Sequence, residues 1–220
     1  MFQKLLSYLI PINIYKQNSA INKTLEVTWN NGKLVLDSKN TNYSYGSLQR
    51  ALKKGLRFIG FERIRKFENV LVLGVAGGSV IKTLREEIKF CGKITGVELD
   101  QNVLELANRF FGLNQIKNLI LVNEDAFEFV LKTKEKYDLI IIDIFQDTVM
   151  PNFLFEDFFI ERINFLLKIN GFILFNTMVL SDKDKNRNNL YRKKFKEQYS
   201  LRMYPKIEEH NELFTIKKLK

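Results

Sequence analysis

Cysteine and histidine are almost missing from this 220-residue chain: each occurs once, as Cys91 and His210. A single cysteine excludes an intrachain disulfide framework. One cysteine and one histidine also leave no ligand set for a protein-held zinc ion. No apolar run nears the roughly 20 residues that span a bilayer. The opening stretch, Met1 to Ile10, is broken by Lys4 and has no small-residue cleavage site, so it is not a secretory signal. A cytoplasmic protein with no membrane partner is expected. Internal repeats and low-complexity linkers are absent. So is the Gly-Lys-Ser/Thr of a P-loop, which excludes triphosphate binding in that style. Cys91 falls at a helix end and reads as a packing residue. His210 falls in a turn and reads as solvated.

What is present is an ordinary globular mixture, 45% apolar and 27% charged. The length suits one well-buried α/β domain and is too short for two. The formal charge of +10 is unevenly spread. Residues 1–68 hold 12 Lys/Arg against 4 Asp/Glu, residues 69–181 hold 11 against 15, and residues 182–220 hold 12 against 6. An acidic middle is therefore flanked by basic ends. Such ends read first as a solvated lysine surface, and they leave nucleic acid open as a partner.

Periodicity divides the chain in three. In residues 1–68, Leu25 to Thr28 and Lys33 to Leu36 are strand-like, and Asn30-Asn31-Gly32 between them is a hairpin signal. Ser47 to Phe58 follows as a helix. In residues 69–181, strands and helices alternate. The strands are Val70 to Leu73, Ile94 to Val97, Leu119 to Val122, Leu139 to Ile142 and Phe172 to Phe175. The helices are Ser79 to Lys89, Gln101 to Phe110, Ala126 to Lys132 and Phe153 to Leu167, the last stopped by Asn170-Gly171. This alternation predicts right-handed βαβ units and a parallel sheet covered on both faces. In residues 182–220, a basic helix from Lys185 to Gln198 precedes strands Ser200 to Tyr204 and Leu213 to Lys217, with Pro205 and Glu208 to Asn211 between them. These two strands read as an antiparallel hairpin on the sheet edge.

Ligands of such sheets bind beyond the carboxyl ends of the strands. Four segments sit there. The first is Gly74-Val75-Ala76-Gly77-Gly78, a turn that lets a ligand approach bare backbone before a helix start. It lacks the third glycine of the NAD fingerprint. The second is Glu98-Leu99-Asp100, about 20 residues on: Glu98 suits ribose hydroxyls, while Asp100 suits a helix cap. The third is Asp125, placed for an adenine amino group or for a helix cap, with Ala126 among its apolar neighbours. The fourth is Asp143-Ile144-Phe145-Gln146-Asp147. Asp143 could hold or deprotonate an amine or hydroxyl, Phe145 could wall the site, and Asp147 is a weaker second carboxylate. Asn176 and Thr177, at the end of the fifth strand, are expected on the substrate side.

Together these segments resemble the class I S-adenosylmethionine-dependent methyltransferase fold, in its spermidine synthase-like branch. The resemblance runs from about Leu34 to Phe175 on VLVLGVAGGSV, ITGVELDQNVLELANRFFG, VNEDAFEFV, YDLIIIDIFQDTVMP and LLKINGFILFN. GKLVLDSKNTNYSYGSLQRAL is similar to the lid that precedes the core in that family, and Tyr45 becomes its candidate substrate contact. The resemblance implies a Rossmann-like seven-stranded, mostly parallel sheet with helices on both faces and a last antiparallel pair. Residues 1–60 would form a lid-like hairpin and helix, and 61–220 the catalytic domain. The implied cofactor is S-adenosylmethionine or its decarboxylated form. Its contacts would be Gly74, Ala76, Gly77 and Gly78 in the turn, Glu98 with Leu99, Asp125 with Ala126, and Asp143, which would also be catalytic.

Three departures from the family pattern bear on the reaction. Spermidine synthases carry an Asp where Ala76 stands, their loop reads Asp-Ser-Ser-Asp-Pro where this one reads DIFQD, and their lid carries Tyr-His/Gln-Glu where Tyr45 is followed by Gly46 and Ser47. A polycationic amine would need the carboxylates that are missing. Methyl transfer to a small acceptor is therefore expected ahead of aminopropyl transfer to putrescine. Arg192-Lys193-Lys194 and the basic flanks keep an RNA-directed methyltransferase in view, although no Asn-Pro-Pro-aromatic loop follows the fourth strand. A binding module without catalysis and a homodimer also stay open.

Overall fold

A computed structural model of the chain describes residues 2–38, 42–44, 47–145 and 149–220. In order, the elements are α1 (Phe2–Leu6), β1 (Ile12–Ser19), β2 (Lys23–Asn30), β3 (Lys33–Ser38), β4 (Asn42–Ser44), α2 (Ser47–Ile59) and α3 (Phe61–Arg65). Then come β5 (Asn69–Leu73), α4 (Ser79–Lys82), β6 (Lys93–Glu98), α5 (Gln101–Phe111), β7 (Leu119–Asn123), α6 (Ala126–Lys132) and β8 (Tyr137–Ile142). The chain continues through α7 (Asp157–Leu166), β9 (Leu167–Met178), α8 (Asp182–Lys193), β10 (Tyr199–Glu208) and β11 (Asn211–Lys218). Among the described residues, no helix is long and apolar enough to cross a membrane.

Seven strands form the main sheet in the order β10-β11-β9-β8-β5-β6-β7. The five from β9 to β7 run parallel, and β11 and β10 add antiparallel. The Rossmann-like α/β architecture expected from the sequence is the one observed. Strand order reverses between β5 and β8, so the crevice for a ligand opens at their carboxyl ends.

The alternation of side chains along a strand divides the core in two. Val70, Val72, Leu139, Ile141 and Leu174 point to one face, where Leu52, Leu56, Ile64 and Ile81 cover them. Leu71, Leu73, Ile140, Ile142 and Phe175 point to the other, under Val130, Phe159, Ile163 and Tyr191. Both faces are dry, which is why β5 and β8 read as unbroken apolar runs. A separate antiparallel sheet, β1-β2-β3-β4, packs Leu25, Val27 and Leu36 against Val103, Leu106 and Phe111 of α5. Its β2–β3 turn has Asn31 at φ 49° and Gly32 at φ 74°, the left-handed pair that an Asn-Gly hairpin needs.

Several boundaries differ from the expected ones. The helix read at Ser79 to Lys89 turns π-helical over Thr83–Glu87. The helix read at Phe153 to Leu167 is a 3-10 turn, Asn152–Phe155, and then α7, because Glu156 is extended (φ −77°, ψ 145°). Asn170-Gly171 does not stop that helix. It is a bend inside β9, with Asn170 at φ 64°, and the strand already starts at Leu167. The basic helix covers Asp182–Lys193, not Lys185 to Gln198, since Ser181 caps it by accepting from Asp184 N. Pro205 lies within β10, at a register shift between Tyr204 and Glu208. β1 was not anticipated, and Cys91 is exposed and not packed.

Candidate active site

The parallel register aligns the strand tips. Leu73 pairs with Val97 and with Ile142, Glu98 with Asn123, and Ile142 with Phe175. The residues that follow these tips therefore form one rim. Gly74, Glu98, Asp143 and Asn176 come from four different stretches of chain and lie together there, with Asp125 two residues past the tip of β7.

Backbone hydrogen bonds stitch the rim together. Gly74 N donates to Val97 O at 3.0 Å, Asp143 N to Leu73 O at 2.9 Å and Glu124 N to Glu98 O at 3.1 Å. Gly74 has φ +88°, and a Cβ there would stand 2.1 Å from the Asp143 carbonyl oxygen. Glycine at this position lets the loops after β5 and β8 touch. Gly78 has a different reason. It starts α4 at φ +77°, and a Cβ would meet Leu113 Cδ2 at 2.5 Å, so it serves helix packing. Gly77 is buried within the turn. Ala76 holds φ 48°, a left-handed conformation unfavourable for alanine.

Glu98 folds back into this turn. Its Oε2 accepts from Val75 N at 3.1 Å and Ala76 N at 3.0 Å, and its Oε1 from Asp100 N at 3.1 Å. A carboxylate offers about four acceptor sites, and backbone donors take three here. Desolvation nonetheless pushes Glu98 above the usual carboxylate range, against those three donors. Asp143 is raised to about 6, by desolvation first and by the Glu98 charge. The opposing influence is Asn176, whose Nδ2 donates to Asp143 Oδ1 at 2.9 Å. A buried carboxyl whose ionisation is opposed by desolvation and by a neighbouring carboxylate, at the switch point of an α/β sheet, marks a candidate functional site.

The remaining positions sort by what they touch. Asp125 caps α6, with Oδ1 accepting from Phe127 N at 2.8 Å and Glu128 N at 3.3 Å. Leu99 leaves 47% of its surface open beside Glu98, whereas Ala126 is buried in the core below. Phe145 packs against the second core cluster. Asn176 and Thr177 have no exposed surface, and Asn176 stands behind Asp143 and donates to it. Asp100 is the cap of α5, with Oδ1 accepting from Asn102 N at 2.9 Å. Tyr45 and Asp147, both expected to meet the substrate, lie outside the described residues, as do Gly46 and Gln146.

The structure adds partners that no local pattern signals. Ser19 Oγ and Asn22 Nδ2 both donate to Asp100 Oδ2, the latter at 2.7 Å, from 81 and 78 residues away in sequence. Asn211 Nδ2 donates to Asn176 Oδ1 at 3.0 Å from 35 residues away.

Comparison with known proteins gives a consistent set of relatives. The family model described as a spermine/spermidine synthase domain matches residues 30–207. A polyamine aminopropyltransferase of Vibrio vulnificus is 28% identical over 141 residues, 63% of this chain and 47% of that protein. One from Buchnera aphidicola is 35% identical over 48% of this chain and 39% of its own length. The chain thus spans less than half the length of these curated relatives. Among solved structures, a probable spermidine synthase from Corynebacterium glutamicum superposes with a TM-score of 0.74 at 16% identity, covering 94% of this chain and 79% of that one. Human methyltransferase-like protein 13, solved with SAH, gives 0.65 at 21% identity, covering 80% and 83%. Likeness at such identities concerns the fold.

Proposed function

Because the chain belongs to the spermine/spermidine synthase family, we propose that it is a transferase that uses S-adenosylmethionine, and that it moves a methyl group to a small acceptor. The observation that carries this reading is the shared rim, where Asp143 and Glu98 face a bare glycine turn. The residues fit such a group. Gly74 leaves no side chain between the two loops, and Glu98 keeps an acceptor site for a ribose hydroxyl. Leu99 offers an exposed apolar surface to a base, and Asp125 a carboxylate at the next strand tip. When bound, the group supplies a carbon electrophile attached to a sulfonium.

Asp143 is the chain's own contribution to the chemistry. With a midpoint of about 6 it is ionised at neutral pH and still basic enough to accept a proton from a nucleophilic N–H or O–H. The loops position the acceptor and exclude water, which is where most of the rate would arise.

Ala76 and the Ile144-Phe145 pair favour methyl over aminopropyl transfer. An alanine methyl group and two apolar side chains cannot hold a free ammonium. The printed names of the relatives favour the second reading, aminopropyl transfer to a polyamine. Calorimetric titration with S-adenosylmethionine and with its decarboxylated form separates the two. Tighter binding of the carboxylated molecule is expected. Tighter binding of the decarboxylated one, with spermidine formed from putrescine in a mass-spectrometric assay, would replace the first reading by the second.

A further inference from the structure

Asp143 is not the end of its hydrogen-bonded chain. Asn176 donates to it, and Asn211 donates to Asn176 in turn, at 2.9 and 3.0 Å. Neither amide is open to solvent: Asn176 is 0% exposed and Asn211 8%. The two sit on neighbouring antiparallel strands, β9 and β11, where Asn176 pairs with Leu213 and Asn211 with Met178.

A carboxamide has a donating end and an accepting end, and reversing it exchanges them. Facing Asp143 with Nδ2, Asn176 favours the carboxylate. Facing it with Oδ1, it would favour the protonated acid. Nothing in Asn176 itself selects between these states. The selection comes from behind, because Asn211 presents its Nδ2 end to Asn176 Oδ1: reversing Asn176 alone would set two donors against each other, and a buried donor left without an acceptor costs about 1–3 kcal/mol. We propose that Asn211 is a positioning residue: it pins the Asn176 amide and so fixes Asp143 as a hydrogen-bond acceptor and a ready base. The inference rests on the reading of Asp143 as the proton acceptor.

The titratable and charged groups around this line are Glu98, Glu212, Arg187 and the exposed His210, which precedes Asn211 in the β10–β11 turn. Glu98 faces Asp143 from β6 and opposes its ionisation. Glu212, next to Asn211 on β11, is held by Asn188 Nδ2 at 2.9 Å and lies within reach of the Arg187 charge on α8. Arg187 itself is tied to Asp184 and to the Met178 carbonyl oxygen. No cation is hydrogen-bonded to Asp143 among the described residues, so the amide is its principal stabilising partner.

The test follows the carboxyl carbon of Asp143 and the side-chain amides of Asn176 and Asn211 by NMR through a pH titration of the ligand-free full chain. Asp143→Asn identifies the carboxyl signal. In the unmutated protein, both amides should follow the Asp143 midpoint near 6. Asn211→Asp turns the donor into an acceptor and should weaken Asp143 as an acid about tenfold, the worth of one hydrogen bond to a charged group. Asn211→Leu removes the amide without adding charge and should shift the midpoint the same way. An unmoved midpoint in both folded variants would overturn the proposal, even if their melting temperatures fall. Should either variant fail to fold, an Asn211 amide that ignores the Asp143 titration in the unmutated chain overturns it as well. No substrate enters these measurements, so a protein inert towards every acceptor would refute the functional reading and leave this result standing.

Discussion

Asp143 is ionised at a cost to the fold. Its folded midpoint of about 6 lies above the ordinary 3.8, so the native state holds a proton more firmly than the unfolded chain. Stability therefore falls as pH rises from 3.8 through 6 and is lowest above that window. Asp143→Asn keeps an acceptor for the Asn176 amide and removes the charge. It should raise stability at pH 8 by on the order of 2 kcal/mol, allowing for solvent on its open side, and by little at pH 4. Denaturant titrations at the two pH values read this directly. The same substitution should lower turnover by about 10²- to 10⁴-fold, and kcat/KM of the unmutated enzyme should drop as pH falls below about 6. Ala76 carries a related strain. Ala76→Gly relieves its left-handed backbone and should add about 1 kcal/mol of stability. Ala76→Asp, which restores the carboxylate of the family pattern, should improve binding of decarboxylated S-adenosylmethionine in the calorimeter.

Among the elements, the two positive-φ glycines of the turn separate by what they face. Gly74→Ala would drive a Cβ into the Asp143 carbonyl oxygen, which is backbone and cannot swing away. Gly78→Ala meets the end of the flexible Leu113 side chain. Thermal melts should show a loss above about 3 kcal/mol for the first and about 1–2 kcal/mol for the second. Equal losses would contradict the contact between the β5 and β8 loops.

Strands β5 and β8 were legible because both of their faces are buried, so that Val70 to Leu73 and Leu139 to Ile142 show as solid apolar runs. Helix α6 was legible to the residue, since Asp125 caps it and Ala126 begins an apolar face. β1 was not, because Ile-Asn-Ile-Tyr-Lys-Gln-Asn-Ser has no clean alternation and lies at a sheet edge. The breaks at Thr83–Glu87 and Glu156 are matters of backbone angle that side-chain periodicity does not encode. Glu98, Asp125 and Asp143 were visible as carboxylates at strand ends. The part played by Asn211 was not, since it depends on which strand lies next to β9.

At the scale of the molecule, Asp100 joins the small sheet to the large one. Its Oδ1 caps α5, and its Oδ2 holds Ser19 and Asn22 from the β1–β2 turn. Asp100→Ala removes a helix cap and leaves two buried donors unanswered, for a loss of about 2–4 kcal/mol. Hydrogen exchange should quicken across residues 12–38 more than across the parallel strands. Uniform acceleration over both sheets would mean that the carboxylate does not join them.

The docking order of β11 carries a consequence for biosynthesis. A ribosome delivers β5, β6, β8 and β9 before residue 211 is translated, so the crevice can take shape while the Asn176 amide is still free to rotate. On the role proposed for Asn211, the amide facing Asp143 gains a fixed sense only once β11 pairs beside β9. Until then the Asp143 carboxyl has beside it an amide whose two ends are interchangeable.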